Sequence, residues 1–209
     1  MGIFDISRII SQESVVYPGD GNIILKPSGT IPETPCNVTL LCNWTTHILT
    51  HVDAPSHFIE NGKSIEDIPL SRFVGNVYVV NIPDEYDEIL PEHFEKFNFD
   101  IIKNIFFKTR NSKIKTENAF YKEFVYMGEK AAQKAIELNL NMIGIDYLSI
   151  EKYGVQNYTV HKTLLKNEII ILEGLDLSMI NEGTYKFSAL PLKIKNADGS
   201  PVRAILQTE

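Results

Sequence analysis

Residues 47–57 read His-Ile-Leu-Thr-His-Val-Asp-Ala-Pro-Ser-His, and this segment holds three of the 5 histidines of the chain. Histidine nitrogens and aspartate oxygens are donors that zinc and manganese accept. A residue this scarce rarely clusters by chance, so we interpret His47, His51, Asp53 and His57 together as a candidate metal site. Any one of these histidines alone would instead indicate a surface or hydrogen-bonded core residue.

The spacing within this segment limits its backbone conformation. In a helix, His47 and His51 would share a face, but Asp53 would lie roughly 200° away from His51. In a flat strand, the two histidines would be about 13 Å apart, too far to share an ion that binds nitrogen at about 2.1 Å. Neither regular conformation brings all three side chains to one ion.

We therefore predict an irregular path for this segment. Val52 and Pro55 disfavour a helix. The path that remains bends between residues 48 and 50 and runs extended over residues 51–53. Pro55 then turns the chain again, so that His57 returns to the site from beyond the ligands.

Short β-rich runs recur on both sides of this segment. Several are continuously apolar, such as residues 169–172, which is typical of strands buried on both faces. The predicted strands cover residues 4–6, 37–41, 73–82, 101–108, 142–145, 169–172 and 185–192.

Helical patterns are fewer. The clearest covers residues 128–138, where alanines and Ile136 form an apolar stripe. Shorter candidates cover residues 91–97 and 163–166, and Gly-containing turns are predicted at residues 18–21, 61–62 and 198–199. The pattern predicts one α/β domain over residues 1–209, with a mixed sheet and few helices.

Composition excludes several classes of function. Lys and Arg number 20 against 27 Asp and Glu, a net charge of −7. This balance argues against nucleic acid as a partner, because phosphate binding needs a surplus of cations. No apolar run approaches the roughly 20 residues that span a bilayer, and no secretory signal pattern is visible. We expect a cytoplasmic protein with neither a nucleic-acid partner nor membrane association.

The two cysteines, Cys36 and Cys42, lack the spacing of zinc or redox motifs. They are too few for a disulfide framework, and we predict small, buried, unpaired thiols.

The histidine segment also resembles a known family. Its pattern H-x-x-T-H-x-D-x-P-x-H-F over residues 47–58 is similar to the signature H-x-G-T-H-x-D-x-P-x-H-F of the metal-dependent cyclase or kynurenine-formamidase family, which includes isatin hydrolases. The similarity continues through Tyr-Pro-Gly-Asp at residues 17–20, Gly-Ile-Asp at 144–146 with Ser149, His-x-x-Leu-Leu at 161–165, and Ile-x-Glu-Gly-Leu at 171–175. It therefore covers most of the chain, in order.

One departure from the signature falls at the predicted bend, where Leu49 replaces the usual glycine. A side chain is tolerated there if the backbone keeps φ below zero, but it would fill space that glycine leaves open. The departure bears on substrate size and identity more than on metal binding.

The resemblance implies a ligand set that spacing would not select. By it, His47, His51, Asp53 and Glu173 hold one divalent ion, and Asp53, His161 and Glu173 hold a second, with both carboxylates bridging. Zinc is expected first and manganese second. Without the family, His161 is a histidine at a helix start. Glu173 follows an apolar strand, where an unpaired carboxylate would be costly to bury.

The resemblance also implies a swivelling β/β/α fold and assembly as a homodimer or homotetramer. It assigns His57 as the general acid/base and Tyr17 as an aromatic substrate contact. Trp44 could stack on a planar substrate or pack in the core. His93 matches no part of the signature and is predicted to be exposed.

These assignments suit hydrolysis of an amide-type bond in a formamide, cyclic amide or similar acyl compound. A metal-bound water loses its proton near neutral pH, and the same ions polarise the carbonyl. An imidazole such as His57 can carry the proton to the departing nitrogen. Two alternatives stay open: a biosynthetic cyclase or dehydratase on the same ions, and a non-catalytic metal-binding protein.

Overall fold

The apolar runs of the sequence form the centre of a nine-stranded sheet in a computed structural model that describes residues 2–95, 97–114 and 119–208. The strands are β1 (Ile3–Asp5), β2 (Ile24–Gly29), β3 (Val38–Cys42), β4 (His51–Asp53), β5 (Val74–Asn81), β6 (Glu88–Ile89), β7 (Asn104–Lys108), β8 (Tyr126–Met127), β9 (Met142–Ile145), β10 (Ile170–Glu173), β11 (Gly183–Ser188), β12 (Gly199–Pro201) and β13 (Ile205–Gln207). The α-helices are α1 (Glu129–Glu137) and α2 (Thr159–Lys166), and short 3-10 helices cover Pro55–His57, Ile65–Asp67, Leu70–Arg72, Pro91–Phe94 and Arg110–Lys113.

The main sheet has the strand order β1-β13-β11-β5-β7-β9-β10-β4-β12. Strands β5, β7, β9 and β10 are parallel neighbours, whereas the strands on both flanks pair antiparallel. Strands β2 and β3 form a separate hairpin, and β6 pairs with β8. The predicted α/β class, with a mixed sheet and few helices, is confirmed.

The central strands bury both faces, as their continuous apolar runs predict. On one face, Ile105, Phe107 and Ile143 pack in a cluster with the alanines of α1 and the leucines of α2. On the other face, Phe106 and Met142 belong to a cluster that also contains Ile6, directly after β1, and Val52 of β4, so that the sheet curls around this second core. Alternate residues of one strand therefore stabilise two hydrophobic cores.

The position of β4 decides where the histidine segment lies. This strand pairs with β10 on one side and β12 on the other, and the register places Glu173 directly opposite His51. Asp53 points to the same face as His51, because side chains of residues two apart in a strand share a face. Strand pairing thus brings two segments that are distant in sequence to one place.

Several predicted element bounds need correction. The predicted helix over residues 91–97 is a 3-10 helix over Pro91–Phe94, and Lys96 lies outside the described residues. Helix α2 begins at Thr159, before its predicted start at residue 163. Strand β2, the hairpin partner of β3, has no counterpart among the predicted strands, because its side chains are largely exposed and lack an apolar run.

Two predictions about side-chain exposure are wrong. His93 is 4% exposed, because its Nδ1 accepts a hydrogen bond from the Leu90 N–H and its ring packs edge-on against Tyr86. The cysteines are unpaired as predicted, but Cys36 is exposed and Cys42 is half-buried, since both belong to the β2–β3 hairpin region rather than to the main cores. In the described part of the chain, no helix is long and apolar enough to cross a membrane.

The backbone at the bend before β4 does not keep the negative φ at which a side chain is most easily tolerated. Leu49 has a φ of +49°, in the left-handed region, not below zero. Its side chain is buried in a cluster with Ile48, Tyr147 and Leu148, so it fills core space and does not line the cavity described below. The left-handed conformation costs about 1–2 kcal/mol, which burial of a leucine side chain, about 1.5–3 kcal/mol, offsets.

Gly174 is the residue on which this bend packs. It has a φ of +70°, and a Cβ there would overlap the Leu49 carbonyl oxygen. Gly154 has a similar φ of +84°, but no atom lies within 4 Å of the point where its Cβ would stand, so it provides a matched control.

We expect Gly174→Ala to lower the free energy of unfolding by about 3 kcal/mol or more, through backbone overlap added to conformational strain. Gly154→Ala should cost only about 1–2 kcal/mol, from conformational strain alone. Urea denaturation of both variants measures the difference. Equal losses for the two variants would contradict close packing of Leu49 on Gly174.

Candidate metal centre

Side chains from separate segments converge at one end of β4 and β10. His47 precedes β4, His51 and Asp53 lie on β4, His161 lies in the first turn of α2, and Glu173 ends β10. His51, Asp53, His161 and Glu173 are buried, and His47 is half-buried. The structure therefore brings together every residue of the ligand set that the family resemblance implied.

Asp53 lies at the centre of this cluster. Its Oδ1 is 2.8 Å from His47 Nδ1 and 3.3 Å from His51 Nε2. Its Oδ2 faces the opposite way and is 3.7 Å from His161 Nε2. The two oxygens of one carboxylate thus face different histidines.

Glu173 repeats this arrangement. Its Oε2 is 3.4 Å from His51 Nε2, and its Oε1 is 3.2 Å from His161 Nε2. Oε1 also accepts a hydrogen bond from the Ile150 N–H at 2.6 Å. Asp53 and Glu173 each direct one oxygen to the His51 side and the other to the His161 side.

Acceptors outside the cluster hold the far side of each imidazole. His51 Nδ1 is 2.9 Å from the Leu49 carbonyl oxygen, which the left-handed bend turns toward it. His161 Nδ1 is 3.1 Å from Glu151 Oε2. An acceptor at one ring nitrogen keeps the proton there and leaves the other nitrogen as a ligand. Both imidazoles therefore direct Nε2 at Asp53 and Glu173.

The donor set fits a divalent cation. Asp53 Oδ2 is buried and has no hydrogen-bond partner among the described residues, which is costly for an ionised carboxylate unless a cation binds it. Donors around a tetrahedral zinc with bonds of about 2.0–2.1 Å lie about 3.4 Å apart. The distances of 3.3 and 3.4 Å from His51 Nε2 to Asp53 Oδ1 and Glu173 Oε2 agree with this spacing.

The pKa shifts of the clustered residues also indicate a site that favours a cation. Burial opposes a charged imidazole, yet Asp53 and Glu173 raise the pKa of His51 to about 10. Burial equally opposes charge on His161, but Glu151 and Glu173 raise its pKa to about 10. Burial alone would raise the pKa of Asp53. The neighbouring imidazoles, including His57, instead hold that pKa well below its usual value. The buried carboxylates are therefore ionised, and the site attracts positive charge.

A cavity of about 450 Å³ opens beside this cluster. Its lining includes the ring edges of His47, His51, His57 and His161, the aromatic residues Tyr17, Phe58 and Tyr158, and the acidic residues Asp20, Glu173 and Asp198. Trp44 is not part of this lining and packs, half-buried, on the cluster that contains Ile48 and Leu49.

His57 lies between the cluster and the cavity. Its ring stacks on that of His47, with centroids 3.8 Å apart and an interplanar angle of 26°. The Pro55–His57 3-10 helix turns it back toward β4, as the predicted turn at Pro55 requires. Burial lowers the pKa of His57. Asp53 opposes this shift and His47 adds to it, and the lowered pKa favours a neutral imidazole.

Tyr17 forms one wall of the cavity. Its ring packs edge-on against Phe120 at 5.2 Å and lies 6.2 Å from the ring of Tyr153. Burial, followed by the neighbouring hydroxyls of Tyr158 and Tyr153, raises the pKa of its hydroxyl to about 12, so that the phenol stays neutral.

Sequence reasoning missed two carboxylates of this site. Glu151 is buried and accepts hydrogen bonds from the backbone N–H groups of Val160 and His161 as well as facing the His161 ring. Asp198, whose Asp-Gly pair predicted only a turn, faces His47 and His57. Nothing in the local pattern around Glu151 indicates its position, because it contacts α2 only through the tertiary fold.

Comparison with known proteins identifies the family. The family model described as "Putative cyclase" matches residues 4–152, which is more than half of the chain. The chain therefore belongs to this cyclase family, as the pattern over residues 47–58 predicts.

Relatives of known name match over nearly the whole chain. The kynurenine formamidase of Salinibacter ruber is 31% identical over 208 residues, covering 99% of this chain and 98% of that protein. The kynurenine formamidase of Bordetella avium is 31% identical over 206 residues, covering 98% of this chain and 97% of that protein.

Solved structures share the fold. A potential metal-dependent hydrolase with cyclase activity superposes with a TM-score of 0.84 at 32% identity, covering 100% of this chain and 98% of that chain. Isatin hydrolase A from Labrenzia aggregata superposes with a TM-score of 0.80 at 22% identity, covering 100% and 94% of the two chains, and this likeness shows the fold alone.

We expect Glu151→Gln to keep the fold but weaken zinc binding about 10- to 100-fold, because a neutral amide holds the proton on His161 Nδ1 less firmly. Its single carbonyl oxygen still accepts the His161 N–H at the start of α2. Competition with a fluorescent chelator measures the affinity. Glu66→Gln is the matched control, since Glu66 also accepts a backbone N–H, that of Asn196, but does not line the cavity. An unchanged affinity in Glu151→Gln would show that this carboxylate only caps the helix.

Proposed function

We propose that the protein is a metal-dependent hydrolase that cleaves the carbon–nitrogen bond of a formamide, a cyclic amide or a similar acyl compound. The observation that carries the proposal is the convergence of three imidazoles on two buried carboxylates, Asp53 and Glu173, beside an aromatic-lined cavity. Family membership and the kynurenine formamidase relatives support the same class.

The ligand assignment is part of this proposal. His47, His51, Asp53 and Glu173 would hold one divalent ion, and Asp53, His161 and Glu173 a second. The division of carboxylate oxygens between the His51 and His161 sides supports two ions. Zinc is the first candidate, and manganese the second, for a mixed nitrogen and oxygen donor set. Such ions, when bound, activate water and polarise a carbonyl group.

His57 is the residue that we assign to proton transfer. Its Nδ1 faces Asp198, so Nε2 is the nitrogen that remains for the reacting groups. A neutral His57 accepts the proton of the attacking water at Nε2 and then delivers it to the departing nitrogen, which balances the proton over the reaction. Its side chain is 26% exposed and belongs to the lining of the cavity.

The cavity suits a planar, aromatic substrate. Phe58 and Tyr158 form a tilted ring pair with centroids 5.1 Å apart, and Tyr17 is a further aromatic residue of the lining. Rings of this kind hold a planar group by stacking and edge contacts. We assign Tyr17 as the substrate contact on this basis.

A cyclase or dehydratase is the second candidate, favoured by the cyclase activity in the name of a structural neighbour. It would use the same residues without net hydrolysis. Product mass separates the two, because hydrolysis adds one water and dehydration removes one.

The proposal also covers domain organisation, location and assembly. We propose one domain over residues 1–209, a cytoplasmic protein and a homodimer or homotetramer. Exposed apolar side chains on β2 and β3, among them Ile24, Val38 and Leu40, at 40–43% exposure, support self-association.

Removal of metal tests the proposed function. We expect EDTA followed by desalting to abolish hydrolysis in a screen of N-formyl aromatic amines and cyclic imides, and added zinc or manganese to restore it. Metal analysis should find about two ions per chain in the active protein. The control is EDTA already saturated with zinc. Full hydrolysis by protein that contains no metal would end this proposal.

His57→Ala tests the assigned proton transfer. We expect kcat to fall about 10²- to 10⁴-fold with metal content unchanged, since His57 is outside the proposed ligand set. His51→Ala is the comparison, and it should lose both metal and activity. Should His57→Ala retain full kcat, the non-catalytic alternative or another proton carrier would replace this assignment.

A further inference from the structure

Asp198 lies at the edge of the cavity in the turn that precedes β12. Its neighbour Gly199 pairs with Asp53 across the antiparallel strands β12 and β4, so the position of Asp198 relative to the cluster is set by sheet register. The Asp198 carbonyl oxygen also accepts the Ala54 N–H at 2.9 Å. Backbone contacts on both sides therefore hold this carboxylate in place.

The Asp198 side chain contacts both stacked imidazoles. Its Oδ2 is 3.3 Å from His47 Nε2 and 3.6 Å from His57 Nδ1. Its Oδ1 accepts a hydrogen bond from Thr46 Oγ1 at 2.7 Å, which fixes the plane of the carboxylate. One oxygen thus lies at the edges of both rings.

The neighbouring glycine makes this approach possible. A Cβ at Gly199 would lie 2.7 Å from Cε1 of the His47 ring. The Asp-Gly pair therefore does more than form a turn, because aspartate supplies an acceptor and glycine leaves room for the ring beside it.

We propose that Asp198 is a positioning residue, which keeps the His47 proton on Nε2 and holds His57 by Nδ1. His47 then directs Nδ1 to Asp53, and His57 presents Nε2 to the cavity. The expected changes in kcat rest on the proposed function. The expected proton position on His47 and the expected zinc affinity do not. Asp198 would thus connect the cation site and the proton carrier His57 through one carboxylate.

The charge of Asp198 suits this role. His47 Nε2 is buried and forms no hydrogen bond within the described residues, and the charged group that faces it is Asp198, with Oδ2 at 3.3 Å. An acceptor at one ring nitrogen determines which nitrogen carries the proton. A carboxylate stabilises such an N–H more strongly than a neutral acceptor does. Thr46 orients the carboxylate without competing for Oδ2.

The experiment compares three variants of the zinc-loaded protein with the unchanged chain. Asp198→Ala removes the acceptor, Asp198→Asn keeps one carbonyl oxygen without the charge, and Thr46→Val removes only the orienting hydroxyl. Asp5→Asn is the matched control: Asp5 is 44% exposed against 47% for Asp198, pairs with Arg203, and does not line the cavity.

The first readout is the proton position on His47, from nitrogen–proton correlation spectra of the zinc-loaded protein. We expect the proton on Nε2 in the unchanged chain, and the His47 signals to shift in Asp198→Ala. Zinc affinity should fall about 10- to 100-fold in Asp198→Ala. The zinc affinity of Asp198→Asn should lie between those of Asp198→Ala and the unchanged chain, and that of Asp5→Asn should equal that of the unchanged chain.

The second readout is kinetic. We expect kcat of Asp198→Ala to fall about 10- to 100-fold while KM changes little, because positioning of His57 affects the reacting state more than substrate binding. Thr46→Val should show a smaller decrease in kcat. A rise in KM at constant kcat would instead make Asp198 a substrate contact and overturn the proposal.

Two further results would also overturn it: a His47 proton on Nδ1 in the zinc-loaded protein, or unchanged zinc affinity and kcat in Asp198→Ala. Should the unchanged protein hydrolyse no amide, the proposed function fails, and the spectra and zinc affinities still decide the role of Asp198.

Discussion

The interaction on which the site depends is the burial of two ionised carboxylates, Asp53 and Glu173, side by side. Their mutual repulsion in a medium of low dielectric constant is unfavourable unless positive charge lies between or around them. The antiparallel register of β4 and β10 places Glu173 opposite His51 and therefore makes this approach unavoidable. The surrounding imidazoles offset the charge, and a pair of divalent cations would offset it more completely.

The acceptors around the cluster explain why the imidazoles face inward. Three chemically different groups face the outer nitrogens of these rings: the Leu49 carbonyl oxygen and Glu151 are hydrogen-bonded to His51 and His161, and Asp198 lies at ion-pair distance from His47. Each lies on the side of its ring away from Asp53. A site assembled from ligands alone would leave ring orientation undetermined, whereas these contacts preorganise the donors before any ion binds.

The Leu49 bend shows how a departure from the family signature is accommodated. The position is left-handed as the usual glycine would permit, and leucine retains that conformation because its side chain is buried and its carbonyl oxygen contacts His51. Gly174, directly after the neighbouring strand β10, supplies the space. The spacing of the histidines and Asp53 therefore predicts the bend and the extended path, whereas the φ at Leu49 follows from packing.

The amino-acid sequence by itself determined the donor chemistry, the bend and extended segment around His51, and the buried central strands, because these follow from residue type, spacing and periodicity over short distances. Family resemblance added Glu173 and His161, which spacing could not select. Only the tertiary structure decided the burial of His93 and the roles of Glu151 and Asp198. Those depend on which strands pair and in what register, and such long-range contacts leave no periodic pattern in the chain.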